Sequence, residues 1–159
     1  MKNQKKISFL VLSLIVVAYV FVLKANTTTE KEKIKWLTIE EAQELAKKEP
    51  RKIFIDIYAV WCGPCKKMDQ VTFTDPKVVD YVAKNYYAVK LDAESDKKIT
   101  YRGKKMTESQ LAMSVFNVQA YPTIVFVEKD FSNFVSAVGY QPADKFETML
   151  SQFYQGKTE

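Results

Sequence analysis

From residue 34 onward, apolar positions recur first at helical spacing, then at strand spacing, and the two patterns alternate to the end of the chain. Ile39, Ala42, Leu45 and Ala46 keep one face apolar as far as Lys48, behind a capping-box pair of Thr38 and Glu41, and Glu49-Pro50 closes that helix. Lys52–Tyr58 is mostly β-branched and aromatic, which predicts a strand. Lys66–Val71 suits a helix with Pro64 in its first turn, where a missing N–H costs little. Asp75-Pro76 supplies an N-cap and a first-turn proline for a helix to about Asn85, with Val78, Val79 and Val82 inward. Tyr86–Leu91 is the next strand. Residues 93–106 are polar and hold Gly103, so they form an inserted loop with a small hairpin over Ile99–Met106. Thr107 with Gln110 opens a helix to about Phe116. The unbroken apolar run Thr123–Val127 predicts a strand covered on both faces. A turn over residues 129–133 leads to a strand at Phe134–Val138. A last helix, opened by Pro142, carries Phe146, Met149, Leu150 and Phe153 on one side.

The N-terminal pattern is different. Three lysines lie within Met1–Lys6, and Ile7–Leu23 is apolar apart from Ser8, Ser13 and Tyr19. That length is short for a bilayer span and long for the core of a signal peptide. The expectation is a signal peptide or membrane anchor over residues 1–25, a polar tether over 26–33 and a folded domain over 34–156. Lysines ahead of the run place the N-terminus in the cytoplasm and the domain outside it. Whether the leader is cleaved stays open. The same segment explains the charge. The chain carries 24 basic and 19 acidic residues, and Lys2, Lys5, Lys6 and Lys24 lie in 1–25, leaving 20 against 19 for the rest. A net charge of +1 beyond the leader gives nucleic-acid binding no support.

The chemistry is concentrated in Trp61-Cys62-Gly63-Pro64-Cys65-Lys66, which holds both cysteines of the chain at a strand-to-helix junction. A cysteine there meets unpaired backbone N–H groups and the positive end of the helix dipole, which favour thiolate over thiol. A second cysteine one turn on can attack the mixed disulfide that the first forms. A four-ligand zinc site would need two further Cys or His ligands, and the chain has no other Cys and no His. A purely structural bridge would close so small a loop that it would constrain the unfolded chain little. Asp56 lies in the middle of an apolar strand. If that strand is central, burial raises the carboxyl's pKa and suits it to take a proton from Cys65. If it is not, Asp56 merely faces outward.

These residues resemble the thioredoxin family over roughly residues 34–156. The hexapeptide 61–66 is that family's active-site sequence, Asp56 stands where its members keep a buried acid, and Lys90 where they keep that acid's partner. Tyr121-Pro122-Thr123 is similar to the cis-proline loop and Val138-Gly139-Tyr140 to the late glycine. The resemblance implies an α/β thioredoxin fold: a central mixed sheet of 4–5 strands flanked by helices, here preceded by the hydrophobic leader. Tyr58 and the glycine-free turn after Val127 depart from the family pattern. The leader, the 93–106 loop, Thr72-Phe73-Thr74-Asp75-Pro76 and Gly139-Tyr140-Gln141-Pro142 resemble exported bacterial thioredoxin-like reductases, of the SoxW type and the C-terminal domain of the electron transporter DsbD.

The resemblance implies catalytic roles for Cys62 (attacking thiolate), Cys65 (resolving thiol), Asp56 and Lys90. Trp61, Gly63, Pro64, Tyr121, Pro122 and Gly139 would bind the substrate, with Pro122 cis. Lys66 and Lys67 read as a solvated helix face. No cofactor and no metal are called for. The Gly63-Pro64 pair is associated with a strongly reducing couple of about −270 mV rather than the oxidising value of about −120 mV. The expectation is therefore an envelope thiol–disulfide oxidoreductase, a monomer that reduces disulfide-containing proteins. It would be associated with the membrane through its N-terminus and recharged by a membrane electron donor of the DsbD type. A disulfide isomerase or oxidase, or a thioredoxin-fold binding or chaperone module without turnover, are the competing readings.

Overall fold

A computed structural model describes residues 33–157 of the chain. The leader over 1–25, and the tether over 26–33 apart from Lys33, lie outside the described residues. Among the described residues, no helix is long and apolar enough to cross a membrane.

The elements run in order β1 (Trp36–Leu37), α1 (Ile39–Lys48), β2 (Lys52–Tyr58) and α2 (Gly63–Lys67), the last continued by a π-helical turn, Met68–Thr72. Then come α3 (Pro76–Asn85), β3 (Tyr86–Asp92), the hairpin strands β4 (Lys98–Tyr101) and β5 (Lys104–Thr107), and α4 (Glu108–Gln110), continued by a π-helical turn, Leu111–Val115. The chain closes with β6 (Thr123–Val127), β7 (Phe134–Val138) and α5 (Ala143–Tyr154). Both capping boxes are formed. Thr38 and Glu41 exchange their bonds at the start of α1, as do Thr107 and Gln110 at the start of α4. Asp75 caps α3 through Lys77 and Val78 N–H.

Five strands form one mixed sheet in the order β1-β3-β2-β6-β7. β2 lies parallel to β3 and antiparallel to β6, so it is central, and all five residues of β6 are buried. Side-chain alternation along β2 divides the core in two. Ile53, Ile55 and Ile57 pack with Ala42 and Ala46 of α1, Val89 and Leu91 of β3 and Leu111 beyond α4. Phe54 faces the other way, towards Met68, Val78 and Val82, and Phe146 and Leu150 of α5. Its ring meets Phe146 and Trp36 edge-on at centroid distances of 5.4 and 5.7 Å. Asp56 shares this second face, and so does the helix that carries the cysteines. The hairpin β4–β5 is tied to α1 by polar bonds. Glu40 accepts from Thr100 N–H, and the Gln43 amide bridges Thr100 C=O and Arg102 N–H, each at 2.8 Å.

The sequence pattern misses β1. Its two residues pair with Ala88 and Val89 of β3 and are too short to show a period. The glycine-free turn after β6 is closed by Phe131 at φ 59°, a left-handed conformation that bulky residues seldom adopt. Packing holds it there: Phe131 is buried and meets Tyr101 edge-on at 6.0 Å.

Candidate active site

Three segments converge at the C-terminal end of β2: the start of α2, the loop after β3 and the loop before β6. Cys62 is the N-cap of α2 with extended backbone, and Pro64 occupies the first turn. Cys62 Sγ accepts a hydrogen bond from the Cys65 N–H at 3.1 Å. A sulfur thus occupies the position where Ser or Asp caps other helices, against the amide dipoles that favour negative charge. Cys62 and Cys65 are joined in a disulfide with Cα atoms 5.3 Å apart. Both are buried in this oxidised form and pack with Ala59, Tyr58 and Tyr121.

The rim is apolar and exposed. Trp61 is 65% exposed; its ring meets Tyr121 edge-on at 5.9 Å, and its indole N–H donates to Glu94 Oε2 at 2.9 Å. Exposure of that order rules out simple core packing for this tryptophan. Gly63 and Pro64 lie exposed beside it, as do Lys66 and Lys67, and Lys67 Nζ sits 4.6 Å from the centroid of the Tyr140 ring. The Tyr121–Pro122 peptide is cis. Gly139, at φ 88°, donates its N–H to Pro122 C=O at 2.8 Å, which ties the end of β7 to the start of β6.

Strand register brings Asp56 and Lys90 opposite one another in β2 and β3. Asp56 is only 1% exposed, and neither of its oxygens has a hydrogen-bond partner, the cysteine sulfurs included. Lys90 Nζ stands 3.3 Å from Oδ2, near enough for charge attraction. Burial dominates, opposed in part by the Lys90 charge, and pushes the Asp56 carboxyl up to about 6. Lys90 is not a plain surface lysine. It also pairs with Asp69, and its ammonium lies 5.0 Å from the Tyr58 ring and 5.1 Å from the Trp36 ring.

Asp69, Glu94 and Gln141 are missed by sequence reasoning. Asp69 lies four residues beyond Cys65, and that helical spacing is the one signal that could have found it. Glu94 lies two residues beyond the end of β3, where the C-terminal ends of parallel strands open. Gln141 lies within the segment Gly139–Pro142 that carries the resemblance, but nothing local marks its side chain.

A model of the thioredoxin-like domain matches residues 39–154. The thiol:disulfide interchange protein DsbD of Haemophilus ducreyi is 32% identical over 124 residues, or 76% of this chain, which spans 20% of that protein. A thioredoxin from Thermus thermophilus superposes with a TM-score of 0.63 at 20% identity, covering 79% of this chain and 90% of that one. The oxidised C-terminal domain of DsbD from Neisseria meningitidis superposes with a TM-score of 0.55 at 23% identity, covering 71% and 90%.

Proposed function

The chain belongs to the thioredoxin-like domain family, and from that premise we propose that it reduces protein disulfides outside the cytoplasm by dithiol–disulfide exchange. One observation carries the reading: the Cys62 sulfur caps α2 and accepts the Cys65 N–H, in a pair already closed as a disulfide. In the reduced chain, the Cys62 thiolate attacks one sulfur of a target disulfide. That S–S bond breaks, the target's other sulfur leaves as a thiolate, and a mixed disulfide forms on Cys62. Cys65 then gives its proton to the ionised Asp56, through a water where the two do not touch, and attacks Cys62 Sγ. The second target sulfur is expelled as a thiolate, and the Cys62–Cys65 disulfide is the product. Two electrons have passed from the chain to the target.

Lys90 keeps Asp56 from rising further and so leaves it ionised at neutral pH. Trp61, Gly63, Pro64, Tyr121, Pro122 and Gly139 form the contact rim, with the Tyr121–Pro122 backbone offered to an extended target segment. The Gly63-Pro64 pair supports a reducing direction. The basic, then apolar, sequence of residues 1–23 supports an exported, membrane-associated domain. A compartment outside the cytoplasm calls for a membrane-borne dithiol donor of the DsbD type to regenerate the pair.

Insulin reduction with dithiothreitol as donor tests the assignment: the wild type should catalyse it and Cys62→Ser should fall to background. Protection of unfolded clients that survives loss of both cysteines, with no reductase activity in the wild type, would favour a chaperone instead. Equilibration with glutathione tests the direction, and a potential above about −180 mV would overturn the reductant assignment.

A further inference from the structure

Gln141 is buried to 4% exposure just beyond β7, with its side-chain amide turned back onto the chain. Nε2 donates to Val138 C=O at 3.3 Å and to Gly139 C=O at 3.1 Å. The Val138 carbonyl and the Gly139 N–H belong to one planar peptide unit, so fixing one end of that plane fixes the other. The other end is the N–H that donates to Pro122 C=O at 2.8 Å. The backbone of Gln141 is held from the opposite side, where Thr72, closing the π-helical turn after the cysteine helix, donates its hydroxyl to Gln141 C=O at 2.6 Å. Lys67 over Tyr140 makes a second link between that helix and this turn.

Stability alone accounts poorly for the residue. Its Oε1 is buried without a hydrogen-bond partner, a penalty that an apolar side chain of the same length would avoid. We propose that Gln141 is a positioning residue: it orients the Val138–Gly139 peptide, and through it the Pro122 carbonyl, so that the Tyr121–Pro122 edge stays aligned with the cysteine helix for an extended substrate. The inference rests on the oxidoreductase reading and adds to it a requirement specific to peptide-shaped targets. A small disulfide needs only the sulfurs and makes no strand-like pairing.

The test compares the full chain with Gln141→Met and Gln141→Glu, using insulin and the small disulfide 5,5′-dithiobis(2-nitrobenzoic acid), alongside urea unfolding. Gln141→Met gives up the two Nε2 bonds together with the unpaired Oε1, and because these effects oppose one another it should unfold close to the wild-type urea concentration and reduce the small disulfide at the wild-type rate. Its KM for insulin should rise about fivefold, with kcat little changed. Gln141→Glu, which turns an acceptor onto the two carbonyls, should raise KM further. An unchanged KM for insulin in both variants would overturn the inference, as would a parallel loss of stability and of activity on both substrates. A wild-type chain that reduces neither substrate would instead overturn the oxidoreductase reading.

Discussion

Asp56 and Lys90 face each other across neighbouring parallel strands with Oδ2 and Nζ 3.3 Å apart, yet the carboxyl sits at about 6 rather than below the ordinary carboxylate range. Burial outweighs the ion pair because Lys90 is shared with Asp69, and the carboxylate has no hydrogen bond to replace its lost water.

Asp56 therefore destabilises the folded chain at neutral pH. An unfolded aspartate titrates near 3.9, so between about pH 4 and 6 the folded chain holds a proton that the unfolded chain has lost, and stability falls as pH rises through that window. Asp56→Asn should match the wild type near pH 4 and exceed it by roughly 2–3 kcal/mol above pH 7, in urea unfolding of the disulfide form. Its insulin turnover at pH 7 should be lower. A variant less stable than the wild type at pH 8 would refute the account.

Lys90→Met keeps the apolar stem and removes the charge. Asp56 should then titrate above 6, and the pH midpoint of target release should move to higher pH. At pH 8 the variant should lose about 1–2 kcal/mol relative to its difference at pH 5, less than a wholly buried pair would cost, because 25% of the Lys90 side chain is exposed. Unfolding at the two pH values measures this, and equal losses at both would contradict the pairing.

In the proposed exchange, Cys65→Ser leaves the attacking sulfur and removes the resolving one. Incubated with an oxidised target, it should accumulate a mixed disulfide through Cys62 that runs as a larger species on non-reducing gels and disappears with dithiothreitol. The mirror variant, Cys62→Ser, should trap little. Equal trapping by both would contradict the division of roles, and stronger trapping by Cys62→Ser would reverse it.

The indole of Trp61 is held by Glu94 at 2.9 Å while most of its ring faces solvent. Glu94→Ala should change stability by no more than about 0.5 kcal/mol, since both partners are at the surface. It should lower the fluorescence anisotropy that Trp61 contributes and raise KM for insulin. Anisotropy equal to wild type would show that Glu94 does not hold the ring.

What the sequence disclosed was local or carried by period. Thr38 with Glu41 and Thr107 with Gln110 are three-residue relationships, and the buried run of β6 announces itself. The partners that complete the site are distant along the chain: Asp69 meets Lys90 across 21 residues, Trp61 meets Glu94 across 33, and Thr72 meets Gln141 across 69. No periodicity encodes such pairs. The π-helical turns after α2 and α4 were equally hidden, because Phe73 N–H reaching Met68 C=O and Phe116 N–H reaching Leu111 C=O depend on how Phe73 and Phe116 seat in the core. The family resemblance led to Lys90 because position, not pattern, marks it.

The alternation along β2 gives its two faces different tolerances. Ile53, Ile55 and Ile57 pack among apolar side chains in the layer of α1 and the hairpin, where exchange for aliphatic residues of similar volume should be tolerated. Phe54 packs against Met68 in the turn that follows the cysteine helix and Asp56 stands against Lys90, so the same strand is forgiving on one face and exacting on the other.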